Sequence, residues 1–243
     1  MLRIKSKQLL ILGFFLILIN SCKDTSEDPT PAETGTVTDV EGRVYKTIKI
    51  GNQWWMAEDL KVTKYRNGNS IIQVTSDTIQ WQTDTTGAYC DITNNQIVIG
   101  KFYNWFALNN SNQIAPAGWH IPTDEEWKEM EKFIGMSQLE ADKTGWRGSH
   151  EGEKLKSEGY QNWSEHENVW GTNESGFTGL AQGCRLFNFK AGTPGFFSTG
   201  FWWSATTNAN NDAYYRYLDY KTSTVFRSHC LKNYGFSVRC VKD

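Results

Sequence analysis

The residues that could do chemistry are few and dispersed. Four histidines are present, His120, His150, His166 and His229, and none stands in the HExxH helix pair that holds catalytic zinc. No GxSxG elbow exposes a serine nucleophile. Glu125, Glu126, Glu129 and Glu131 crowd one segment. A solvated helix face that complements the helix dipole accounts for them. The carboxylate pairs of glycoside hydrolases need opposed placement across a sugar ring, which spacing in a sequence does not show. His120 lies just ahead of a helix cap and reads as a hydrogen-bonded structural histidine. The chain is therefore expected not to be an enzyme.

Binding chemistry is better supplied. Carbohydrate modules stack the apolar faces of sugars on exposed aromatics and bind hydroxyls through amides, carboxylates and guanidinium groups. Trp202, Trp203, Asn208, Asn211, Asp212, Tyr214 and Arg216 offer this mixture within one short stretch, joined by Asn210. They form the expected ligand site. On a regular strand neighbouring side chains point to opposite faces, so at most one of the two indoles faces out. Calcium on the Asn and Asp oxygens of residues 208–212 is allowed by ligand chemistry but weakly signalled, because the Glu-Pro-Asn and Trp-Asn-Asp signatures of calcium lectins are missing. No other cofactor is expected. A net charge of −2 gives no basic footprint, so nucleic acid is not an expected partner.

The elements that would position these residues are legible in part. Residues 118–127, GWHIPTDEEW, read as a helix entry. Thr123 is the N-cap, Glu126 completes a capping box three residues on, and Asp124 and Glu125 place negative charge in the first turn. Trp127, Met130, Phe133 and Ile134 recur at helical spacing, and Gly135 ends the run. Residues 44–50 and 53–56 read as two strands joined by Gly51-Asn52. Short helices are expected in residues 138–145 and 153–158, and four strands at residues 201–204, 214–220, 223–227 and 236–241. Residues 59–95 read as loops. The chain has 11 Trp, 10 Tyr and 13 Phe, so few elements can still bury a large area. Trp146, Trp163 and Trp170 would anchor irregular loops. The expected class is α+β, loop-rich, with small antiparallel sheets, one main helix, short accessory helices and termini side by side.

Residues 1–22 are not read as fold. Arg3, Lys5 and Lys7 precede an apolar run at residues 9–19 that is too short to span a bilayer and suits a signal peptide. The run ends Ile19-Asn20-Ser21-Cys22, which resembles the lipobox of bacterial lipoproteins, with Cys22 the lipidated residue and the membrane its partner. Removing residues 1–22 leaves 22 Lys and Arg against 27 Asp and Glu, a net charge near −5. Residues 23–35 are polar and acidic, carry two prolines and read as a flexible tether. They also resemble the surface-export signals of Bacteroidetes lipoproteins. Order is expected over residues 36–243. Four cysteines remain in an exported chain, Cys90, Cys184, Cys230 and Cys240, an even count that points to disulfides with the pairing open.

Six motifs then match a known family in its own order: residues 44–60 (VYKTIKIGNQWWMAEDL), 100–108 (GKFYNWFAL), 117–127 (AGWHIPTDEEW), 173–180 (NESGFTGL), 200–207 (GFWWSATT) and 234–243 (YGFSVRCVKD). The chain resembles the Fibrobacter succinogenes major paralogous domain family of surface lipoproteins. The resemblance implies a C-type-lectin-like core related to the formylglycine-generating sulfatase modifiers. It also implies an outer-membrane, lipid-anchored, cell-surface location. Ala115-Pro116 stands where family members often carry a cysteine, so the resemblance makes Cys184 a replacement partner. The oxidase relatives use two reactive cysteines near their C-terminus. Here Cys230 has no second cysteine within five residues, so the oxidase reading is remote. The expected function is a surface-anchored, non-catalytic binding or adhesion lipoprotein for glycans, the alternative being a protein-interaction or structural component of the envelope.

Overall fold

A computed structural model describes residues 32–186 and 195–243. Cys22, the signal peptide and most of the tether lie outside the described residues. The described residues fold as α+β around three small sheets. The first runs β1 (Thr34–Thr38), β2 (Val44–Ile50), β3 (Gln53–Met56), β12 (Val241–Lys242), β7 (Trp119–His120). The second runs β8 (Gly145–Arg147), β11 (Val225–Cys230), β10 (Ala213–Asp219), β9 (Thr199–Thr207). The third runs β4 (Ile72–Gln73), β5 (Ala88–Asn94), β6 (Ile97–Tyr103). All pairings are antiparallel except β4 with β5. Among the described residues five helices join them: α1 (Thr78–Thr83), α2 (Trp105–Leu108), α3 (Asp124–Phe133), α4 (Gln138–Asp142) and α5 (Glu151–Leu155). Among the described residues no helix is long and apolar enough to cross a membrane.

The helix entry forms as the spacing requires. Thr123 Oγ1 accepts from the Glu126 backbone N–H, and Glu126 Oε2 accepts from the Thr123 N–H. Trp127, Met130 and Ile134 are buried, but Phe133 is 65% exposed. The sheets differ more from expectation. β1 begins at Thr34, so two residues assigned to the tether are strand. Residues 59–95 hold β4, α1 and all of β5 rather than loop alone. The last expected strand, residues 236–241, shortens to β12. Phe236 through Val241 are buried on both sides, because the segment threads between sheets and its carbonyls serve Met56, Leu60 and Trp203.

Glu131 corrects the reading of a solvated acidic face. It is fully buried and accepts from Arg147 and Arg216 at 2.7–2.8 Å. Asp124, at the start of the same helix, accepts from Arg216 Nη1 at 2.7 Å and from Arg227 Nη2 at 2.6 Å. All five side chains are buried. Arg216 and Arg227 are direct cross-strand partners, and Arg147 stands on β8 beside β11. One face of the second sheet thus holds α3 through guanidinium forks, whose planar donors match carboxylates two at a time. Burial pushes the Asp124 carboxyl up, but the hydrogen bonds of Arg227 and the charge of Arg216 outweigh it and hold it at about 2. A second buried pair, Arg239 Nε to Asp59 Oδ1 at 2.7 Å, ties the C-terminal segment to the start of the chain. Arg239 also donates to the carbonyls of Phe177 and Thr178.

Removing one partner strands the other charge in the interior. Glu131→Gln or Arg216→Met is therefore expected to cost about 3–5 kcal/mol in chemical denaturation; a loss below about 1 kcal/mol would show that the cluster does not hold α3. His120 places Nδ1 2.7 Å from Asp243 Oδ1 and Nε2 2.7 Å from Glu126 Oε1. Both nitrogens donate only in the imidazolium. Burial lowers its pKa, and the two carboxylates more than reverse this, for a net rise from 6.5. The stability it adds is complete below the unfolded value and is lost as pH rises through the higher folded value. A nuclear magnetic resonance titration is expected to give His120 a pKa above 6.5 that falls in Asp243→Asn. An unshifted value in the native chain would contradict the clamp.

Candidate functional site

The seven residues expected to form a ligand site do not come together. Trp202 and Trp203 are 1% and 0% exposed, so neither offers a face to solvent. Trp202 Nε1 donates to Asp59 Oδ1 at 2.9 Å, and Trp203 Nε1 donates to the Tyr103 carbonyl at 2.8 Å. The alternation that should turn one indole outward fails because the second sheet is covered on both faces where they sit. α3 lies on one side, and Tyr103 with Phe236 on the other. Arg216 is committed to Asp124 and Glu131. Tyr214 lies beneath the Arg227 guanidinium, 4.5 Å from its ring centroid.

Asn208, Asn211 and Asp212 remain at the surface, in the β9–β10 hairpin. Asn208 Oδ1 accepts the N–H of Asn210 and of Asp212, so Asn208 shapes the turn. Asn211 Oδ1 accepts from Lys232 Nζ at 2.5 Å. Asp212 Oδ2 lies 3.1 Å from His229 Nδ1. This loop has one carboxylate, already engaged, which is a poor set for calcium. Among the described residues no group of three or more His, Cys, Asp or Glu side chains could hold a metal.

The disulfide expectation is also corrected. Cys90, Cys184, Cys230 and Cys240 are all free. Cys90 packs with Trp81 and Phe102 in one small cluster, whereas Cys184 and Cys240 belong to the large core with Cys230 at its edge. Each is used as a small apolar filler. Burial pushes the Cys184 thiol up to about 12 and moves Cys230 and Cys240 further in the same direction. Thiols kept protonated are poor nucleophiles and poor metal ligands.

The exposed aromatics direct attention elsewhere. Trp146, Phe226, Tyr217 and Phe201 form one cross-strand row on the second sheet. Their rings mostly serve each other. Phe201 is stacked on Tyr217 at 4.5 Å and on Phe236 at 5.1 Å, so both its faces are taken. Trp163 is buried and donates to the Gly179 carbonyl at 3.0 Å, whereas Tyr160 and Trp170 flank the Gly159–Gly171 bridge and are 40% and 49% exposed. Trp163 therefore anchors the loop of residues 158–171, and its neighbours do not.

That loop forms one wall of a cleft of about 360 Å³. Gln161 and Asn162 come from the loop, and Asn94 and Ile99 from the β5–β6 hairpin. The hairpin closes through Asn95 and Gln96, whose φ of 47° and 67° suit a two-residue turn that follows sheet twist. Gln182, 95% buried, lines it together with Leu180 and Ala181. Gln182 Oε1 accepts from Ser237 Oγ at 3.4 Å, which ties it to the C-terminal segment.

Phe196 and Phe197 close the cleft, edge to face at 4.4 Å. Phe197 has φ of 61°, a conformation that is a true outlier for a bulky side chain. It is held there from both sides. Its N–H donates to the Ala181 carbonyl at 2.8 Å, and its carbonyl accepts from Ser164 N–H at 2.5 Å. The result is a ring 42% exposed in a left-handed turn, beside four carboxamides. Strain of this kind costs about 1–3 kcal/mol and clusters at binding sites. Nothing in strand or helix periodicity marks these residues. The available signal was the Phe196-Phe197 pair inside a Gly-rich stretch.

The model of the Fibrobacter succinogenes major domain matches residues 48–242. The chain belongs to this family. No curated protein matches it, and no solved structure does.

The thiols give a direct check on the corrected pairing. Reaction with a disulfide reagent is expected to be slow for all four in the folded state and complete on unfolding. Cys230, the least buried, should react first. Fewer than four reactive thiols among these positions after unfolding without reductant would restore the disulfides.

Proposed function

We propose that this member of the Fibrobacter succinogenes major domain family is a lipid-anchored surface protein that binds glycans without catalysis, at the cleft between residues 158–171 and Phe197. The observation that carries the reading is the pairing of four carboxamides, Asn94, Gln161, Asn162 and Gln182, with one aromatic ring in an enforced left-handed turn. Carboxamides offer a donor and an acceptor at one site, which suits hydroxyl groups, and a half-exposed ring suits the apolar face of a sugar. The signal-peptide pattern and Cys22 support an outer-membrane, cell-surface location. A C-type-lectin-like scaffold is part of the same reading. It is supported by terminal strands that share one sheet, β1-β2-β3-β12, and by long irregular segments at residues 156–186 and 195–198 that help to line the cleft.

Phe197→Gly tests this directly. Glycine adopts positive φ without steric cost, so relief of strain offsets the lost ring contacts. Stability is expected to change by less than about 1 kcal/mol. Affinity for the glycan probes that the native chain binds in a glycan array should fall about tenfold. Equal binding by both proteins would remove the cleft from consideration.

A further inference from the structure

We infer that the cleft takes a neutral glycan, through a chain end or a short stretch of one or two sugar rings, and discriminates against acidic and amino sugars. This inference rests on the glycan reading above and names its ligand class. The carrying observation is charge. Among the described residues, none of the side chains that line the cleft is ionisable. Its polar groups are all carboxamides, and the rest of its wall is aliphatic or aromatic.

A carboxamide and a hydroxyl are matched in kind, since each donates and accepts. A sugar carboxylate is different. Moving it from water into a cleft without Lys or Arg leaves its charge uncompensated, which is costly. An amino sugar meets the converse difficulty, because among the described residues no Asp or Glu lines the site to pair its ammonium, and the exposed Glu158, Glu165 and Glu167 of the loop lie outside that lining. The nearest charges along the hairpin neutralise one another. Asp91 and Lys101, on β5 and β6, form an ion pair at 2.5 Å. Gln182 adds to the selectivity. It is 95% buried, so a charge brought against it would be among the least solvated in the site.

Other hollows contrast with this one. The hollow beside the β2–β3 turn is lined by Glu129 and Lys132, and the hollow at the β9–β10 hairpin by Asp212 and Lys232. Size bounds the ligand as well. At about 360 Å³ the cleft is near the lower limit for ligand sites, roughly 300–1,000 Å³. A long groove that follows a polymer would be larger.

Titration calorimetry on the full-length chain in detergent tests the inference. The probes are cellohexaose, mannohexaose and xylohexaose as neutral ligands, oligogalacturonate as acidic and chitosan oligosaccharide as cationic. Each is titrated at about 0.05 M and about 0.5 M salt. At least one neutral probe is expected to bind, with affinity changing less than about twofold between the two salts, because no ion pair is screened. Charged probes should bind about tenfold or more weakly than that neutral one. Gln161→Glu should reduce neutral binding and give chitosan oligosaccharide a new, salt-sensitive affinity. Binding of oligogalacturonate or chitosan oligosaccharide to the native chain at the neutral level would overturn neutrality and leave the glycan reading intact. So would a tenfold loss with salt. Silence from every probe would remove the glycan reading and this inference with it.

Discussion

Three guanidinium groups and two carboxylates buried between α3 and the second sheet are the constraint on which the rest depends. Arg147, Arg216 and Arg227 come from three adjacent strands, and Asp124 and Glu131 from two turns of one helix. A buried ion pair contributes little net stability over a well-packed apolar substitute. Its consequence here is geometric. Five groups that must satisfy one another leave α3 a single rotation and height above the sheet. The apolar side of the helix is then fixed as well. Trp127 packs on Trp55 at 5.0 Å and on Phe177 at 5.6 Å, and Phe177 packs on Trp202 at 5.6 Å. Arg239, stacked on Phe177 at 4.1 Å and bonded to Asp59, extends the same logic to the C-terminal segment.

This arrangement explains what could be read from the sequence and what could not. Local signals carried well. The Thr123–Glu126 capping box is set by residues three apart, and the Gly51-Asn52 hairpin by a turn whose first position has φ of 61°. Polar side chains in the interior did not carry. Glu131 lies among exposed acids in sequence, and only the three distant arginines make it a core residue. Arg216 sits in a strand beside tyrosines and resembles a ligand contact until Asp124 is brought beneath it. Trp202 and Trp203 fail for a related reason. Alternation separates the two faces of a strand, but it cannot state that both faces are covered. The cleft was invisible because it joins residues from 94 to 197, and because Phe197 departs from the conformations that propensity describes.

The scaffold and the loops are divided by function. Charged and aromatic groups with large surfaces are spent inside, on holding elements together. Where the described loop of residues 158–171 and Phe197 line the cleft they present amide and ring, pinned by Trp163 and by the two backbone bonds of Phe197, while Glu158, Glu165 and Glu167 of the same loop are exposed outside that lining. Loops anchored at a few points can vary between those points without disturbing the core. A family built on this plan can keep its fold while its loops change.

On the proposed function, recognition belongs to this cleft and not to the β9–β10 hairpin. Side-chain amide resonances distinguish the two. On adding a neutral oligosaccharide that the chain binds, the Asn94, Gln161, Asn162 and Gln182 carboxamide signals are predicted to shift in heteronuclear spectra, while those of Asn208 and Asn211 stay in place. Shifts confined to Asn208 and Asn211 would contradict the account.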